Sequence, residues 1–67
     1  MEGWTCIFTT NHLHEAELIK GLLEEHQIIA ITVNKQDSVY LFGDVELYVQ
    51  VDDAFLAKQI LNKLNRE

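Results

Sequence analysis

An α+β domain, with two helices on one face of a small mixed sheet, is the fold this sequence predicts. Three observations carry it. Two stretches repeat apolar residues with helical spacing, three are rich in β-branched and aromatic residues, and the two kinds follow one another with short connections. The chain has 67 residues, enough for one domain spanning residues 1–67 and not for two.

The first strand runs from Trp4 to Thr10. Alternation puts Trp4, Cys6 and Phe8 on one face and Thr5, Ile7 and Thr9 on the other. Asn11 reads as a helix N-cap. The first helix spans about His12 to His26, with Ala16, Ile19, Leu22 and Leu23 in one stripe about 120° wide. His26 reads as a residue of its C-terminal boundary.

A second strand covers Ile28 to Asn34, apolar on both faces. The third, Val45 to Val51, alternates Val45, Leu47, Val49 and Val51 with Glu46, Tyr48 and Gln50. Asp52 or Asp53 then caps a second helix, which runs to about Asn65 on a stripe of Ala54, Ala57, Ile60, Leu61 and Leu64. Phe55 falls about 100° off that stripe.

Between strands two and three, Val39-Tyr40-Leu41-Phe42 is too apolar to leave in water and too short for a helix. It is expected to pair as a short extra strand through a turn at Gly43-Asp44, or to meet a partner.

The order β-α-β-(β)-β-α, with a parallel crossover between the first two strands and the last strand inserted antiparallel between them, is a ferredoxin-like sandwich. Its usual final strand is expected to be missing, because the chain ends at Glu67. In this register Val45, Leu47, Val49, Ile29, Ile31, Cys6 and Phe8 face the helices. Thr5, Ile7, Thr9, Ile28, Ala30, Thr32, Glu46, Tyr48 and Gln50 form the open face.

Net charge is −6, from eleven acidic and five basic residues, and the basic ones are scattered. Phosphate backbones and anionic membranes both call for lysine and arginine, so neither nucleic acid nor membrane is an expected partner. The longest apolar stretch, Ile28 to Ile31, is too short to span a bilayer, and no signal peptide is legible at the start of the sequence. With a single cysteine and hence no intrachain disulfide, the expected setting is the cytoplasm.

The run from Trp4 through Phe8-Thr9-Thr10, Glu15 to Glu24 and Ile28, together with Leu47 to Asp53 and Ala57, Ile60 and Leu61, resembles a bacterial family of unknown function. Its members are described as putative prokaryotic signal-transducing proteins. The resemblance covers nearly the whole chain. It implies a fold similar to the PII proteins and a regulatory role, with no named chemistry. The long loop and phosphate contacts of PII proteins have no counterpart here, so nucleotide binding is not implied.

Candidate chemistry is sparse. His12 and His14 diverge on a helix, and no third ligand accompanies them, so no metal is expected. Cys6, beside Trp4 and Phe8, reads as a small buried hydrophobe. No nucleophile with a base and no cofactor motif is legible, so an enzyme is not expected and no cofactor is called for. Thr9, Thr10, Asn11 and His12 lie where the first strand meets the first helix, and helix N–H groups there can hold an anion.

Two function classes remain: a regulatory or binding module, and an interaction domain whose business is self-association. A domain this small buries only about 60% of its unfolded surface, so further burial would help it. A homodimer, or contact with another protein, is expected through Ile7, Ile28 and Tyr48 on the open face, the edge of the first strand, and the uncovered aromatics Tyr40, Phe42 and Phe55.

Overall fold

The computed structural model describes residues 2–36 and 43–65. Strand β1 covers Trp4–Thr10, helix α1 Leu13–Glu25, strand β2 Ala30–Asn34 and strand β3 Val45–Gln50. A 3₁₀ turn over Val51–Asp53 leads into helix α2, Ala54–Asn65. The three strands lie in the order β1-β3-β2, with β3 antiparallel to both neighbours. This is the expected α+β arrangement, consistent with a ferredoxin-like fold. The segment Val39 to Phe42, with Tyr40 and Phe42, lies outside the described residues.

One layer of side chains holds sheet and helices together. Leu47 and Val49 of β3, Ala30 of β2, Leu23 of α1 and Ala57 and Ile60 of α2 form one buried cluster. Val45, Leu47 and Val49 are the inner face of β3, as their alternation predicts, and Glu46, Tyr48 and Gln50 lie on the outer face.

The register of β2 is the reverse of the expected one. Ala30 pairs with Val49 and Thr32 with Leu47, so both stand on the inner face, while Ile31 and Val33 pair with Tyr48 and Glu46 on the outer face. Ile29 is exposed and Ile28 is 2% exposed, within the core. The cause lies at the end of α1. Gln27 takes a left-handed φ of 64°. Its N–H donates to the Glu24 carbonyl, and the N–H of Ile28 donates to the Leu23 carbonyl. That double bond pattern is a Schellman cap, whose hydrophobic contact joins the residue after the turn to the one that accepts from it. Ile28 therefore packs with Leu23, and counting by twos from Ile28 fixes Ala30 and Thr32 inward.

β1 is also corrected. Cys6 pairs with Tyr48 and Phe8 with Leu47, so Ile7 is an extra residue in a β-bulge. Phe8 faces the helices as expected. Thr5 pairs with Val49 and also faces them, and Ile7 packs against the core instead of standing on the open face. Trp4 and Cys6 stand on the open face, and Cys6 is exposed where burial was expected.

Helix ends differ slightly from the sequence reading. His12, and not Asn11, is the N-cap of α1, without a side-chain cap bond. Asp52 and Asp53 sit in the 3₁₀ turn that precedes α2, with Val51. Leu64 is exposed although it lies on the expected stripe, and Phe55 is 75% exposed. His26 caps α1, and its Nδ1 donates to the Leu22 carbonyl at 3.0 Å.

Two backbone positions give opposite expectations. A non-glycine residue in the left-handed region costs about 1–2 kcal/mol, so Gln27→Gly should raise stability by about 0.5–1 kcal/mol after the entropy that glycine loses. At Gly43, φ is 106° and a Cβ would lie 2.7 Å from the Lys35 carbonyl oxygen. Gly43→Ala should therefore cost about 1–3 kcal/mol. Urea denaturation of both variants checks the pair, and an unchanged midpoint for either contradicts this account of its turn.

Candidate functional site

The outer face of the sheet is where polar and apolar side chains gather without a covering layer among the described residues. Three rows cross it: Trp4 beside Gln50, Cys6 beside Tyr48 beside Ile31, and Thr9 beside Glu46 beside Val33. Trp4, Val33 and Tyr48 are half-buried, Ile31 is 36% exposed and Cys6 is exposed. The bulge at Ile7 brings Cys6 Sγ to 3.6 Å from Thr9 Oγ1, across what would otherwise be opposite faces.

Glu46 organises the polar part. It accepts a 2.8 Å hydrogen bond from the Tyr48 hydroxyl and lies 3.2 Å from Lys35 Nζ. The Tyr48 hydrogen bond, then that of Lys35, holds the Glu46 carboxyl below its ordinary 4.5. In turn Glu46 raises Lys35 above 10.5, through its hydrogen bond and charge. It also raises Tyr48 above 10.0, by holding the phenol proton, with partial burial adding to the effect. The depressed group contributes stability above its ordinary value, lost as pH falls through the lower one. The raised groups contribute below theirs, lost as pH rises through the higher ones. The network is thus intact across the neutral range. Lys35 is itself well exposed, so the pair fixes side-chain positions more than it stabilises the fold.

The four residues at the β1–α1 junction do not converge. Thr9 stands on the open face and Thr10, paired with Val45, on the inner one. The Thr10 hydroxyl accepts from the His12 N–H and donates to the Glu15 carboxylate. A carboxylate of the chain itself thus stands at the helix start, where it repels an incoming anion. The Asn11 carbonyl accepts a 2.6 Å hydrogen bond from Gln36 Nε2, which ties this loop to the end of β2. His12 and His14 line a shallow depression with Asn11, Leu13 and Gln36. Among the described residues no three His, Cys, Asp or Glu side chains are placed to share a metal ion.

Of the expected contact residues, Tyr48 is on the open face, while Ile7 and Ile28 are on the helix side. Phe55 is exposed on α2, in the helical layer. Sequence reasoning missed Lys35, Ile31 and Val33. Glu46 and Tyr48, two apart on one strand, were readable as neighbours, whereas Lys35 reaches them only through the β2–β3 pairing.

A second concavity lies between the helices, over β1. Ile7 and Phe8 form its floor, Ile19 one wall, and Lys58, Leu61, Asn62 and Leu64 the other. Its volume is about 270 Å³.

The model of a family described as "putative prokaryotic signal transducing protein" matches residues 4–65, from the first residue of β1 to the last of α2. The chain belongs to this family. Neither a curated protein nor a solved structure matches it. No helix among the described residues is long and apolar enough to cross a membrane.

Replacing Tyr48 by Phe removes the largest cause of the low Glu46 pKa without disturbing the inner face. In Tyr48→Phe the carboxyl resonance of Glu46, followed by NMR, should titrate at a higher pH than in the unaltered chain. An unmoved midpoint contradicts the Tyr48–Glu46 hydrogen bond.

Proposed function

We propose that this chain is a small, non-catalytic module of signal transduction that works by protein contact through the open face of its sheet. One observation carries the proposal. Trp4, Cys6, Ile31, Val33 and Tyr48 gather on a face that neither helix covers. Aromatic and branched apolar residues ringed by polar ones are the composition of a contact surface. The description of the family supports a role in signalling. The character of the polar groups supports a binding rather than a catalytic reading. Glu46 is tied to Tyr48 and Lys35, and Cys6 has only weak sulfur contacts to Thr9 and the Phe8 carbonyl. Among the described residues no base stands in position to activate that thiol.

The groove between the helices favours a second reading, a sensor of a small molecule. Its volume of about 270 Å³ is slightly below the roughly 300–1,000 Å³ common for ligand pockets, and it is open on one side.

A photo-crosslinking residue placed at Ile31, compared with one at Leu18 on the exposed side of α1, tests the face. Capture of protein from position 31 and not from 18, in living cells, is the expected result. Capture from 18 alone would overturn the proposal. So would a metabolite that raises the melting temperature by roughly 10 °C at 100 times its dissociation constant, since it would favour the sensor.

A further inference from the structure

We infer that the occupant of the open face is a second copy of this chain, packed sheet to sheet about a two-fold axis with the helices outward. The inference rests on the reading of that face as a contact surface, and three features of the molecule single out the partner.

The first is where the charge sits. A chain of net charge −6 repels its own copies wherever its acids meet. Glu15, Glu17, Glu24 and Glu25 are on α1, Asp52 and Asp53 in the 3₁₀ turn, and Glu2 and Asp44 beside strand ends. Among the described strands Glu46 is the one acidic residue, and Lys35 neutralises it at 3.2 Å. Of the described acids, none but the neutralised Glu46 lies on the open face, so two like-charged chains can meet there without those acids facing one another. Packed this way, the acidic α1 helices lie on opposite outer sides, well over a Debye length of about 8 Å apart.

The second is area. The chain is a plate, 35 × 33 × 16 Å. Taken as an ellipse, its broad outline is about 900 Å², so the roughly 800 Å² per partner of a stable interface would take in the sheet face together with the loops and strand ends around it. The thin direction matches a sheet with one layer of helices, and within the broad outline three strands of 7, 5 and 6 residues cover roughly 23 × 14 Å, about 320 Å², so the sheet face is the centre of the contact and the loops and strand ends around it supply the rest.

The third is the edge. β1 is an outer strand without charge or proline, and such an edge invites strand addition. The bulge at Ile7 interrupts its ladder and turns Ile7 into the core, which blunts it. β2, the other outer strand, pairs with β3 without a bulge, so its edge is not blunted in this way, and face packing is favoured over it by self-complementarity: the central row of Cys6, Tyr48 and Ile31 is apolar enough to meet its own two-fold image.

Cys6 supplies a readout that needs no variant. Its thiol is exposed in one chain and covered in the proposed dimer. Sedimentation at about 50 µM should give twice the 7.8 kDa chain mass, and the maleimide labelling rate of Cys6 should fall about tenfold between about 1 and 100 µM chain. Ile31→Glu should give a folded monomer whose Cys6 labels at one rate at all concentrations. Leu18→Glu, the same change at a 61% exposed helix position, should leave the dimer intact. Circular dichroism confirms the fold of each variant.

A wild-type monomer with concentration-independent labelling overturns the inference, and so does a dimer that survives Ile31→Glu. These outcomes are separable from failure of the contact reading. Crosslinking from position 31 to a different protein removes the second copy and keeps the face, whereas no crosslink from that position removes both.

Discussion

The cap at the end of α1 decides more of this molecule than any other contact. Two hydrogen bonds, from Gln27 to Glu24 and from Ile28 to Leu23, turn the chain and deliver Ile28 into the core. Because strand side chains alternate with a period of two, that delivery sets every later residue of β2. It sends Thr32 inward, where its Oγ1 is buried without a hydrogen-bond partner among the described residues, and it leaves Ile31 and Val33 outside. Hydropathy alone would have chosen the opposite, since Ile29, Ile31 and Val33 are the larger apolar set. The contact surface is thus a by-product of the turn: apolar residues stand on the outer face because the cap has already assigned the inner one.

The two layers of the sandwich divide the labour. Helices and loops carry nearly all the described acids, so the outside of the helical layer is hydrated and repels other acidic surfaces. The sheet's outer layer carries one tethered carboxylate among aromatic and branched side chains. Tethering matters here, because a Glu46 held by Tyr48 and Lys35 is satisfied before anything approaches, and a partner need not supply a counter-charge to cover it.

Element order and strand order were legible in the sequence, because they follow from periodicity and from the short connections. β3 was legible as far as Gln50, since only one assignment of its alternation buries Val45, Leu47 and Val49, whereas Val51, read as its last inward residue, opens the 3₁₀ turn and is exposed. β2 was not, since both of its faces are apolar and the deciding residue, Gln27, carries no sequence signal for a left-handed turn that glycine or asparagine would have given. β1 was half legible. Phe8 and Thr9 were assigned to their correct faces, whereas Thr5, Cys6 and Ile7 stand on the faces opposite to those expected, because of a bulge that no glycine marks. The polar network on the outer face was out of reach for a similar reason, as Lys35 joins Glu46 across two strands whose register the sequence left open.

The bulge also bears on how this chain is compared with its relatives. β1 consists of two half-strands, Trp4 to Cys6 and Phe8 to Thr10, each in phase with β3 but out of phase with the other by one residue. A relative lacking the extra residue would be one shorter between the same two anchor points and would still keep both halves in place. An alignment drawn straight through position 7 would then transfer every role on one side of it to the wrong face. Residue roles on this strand transfer faithfully only when the two halves are aligned independently.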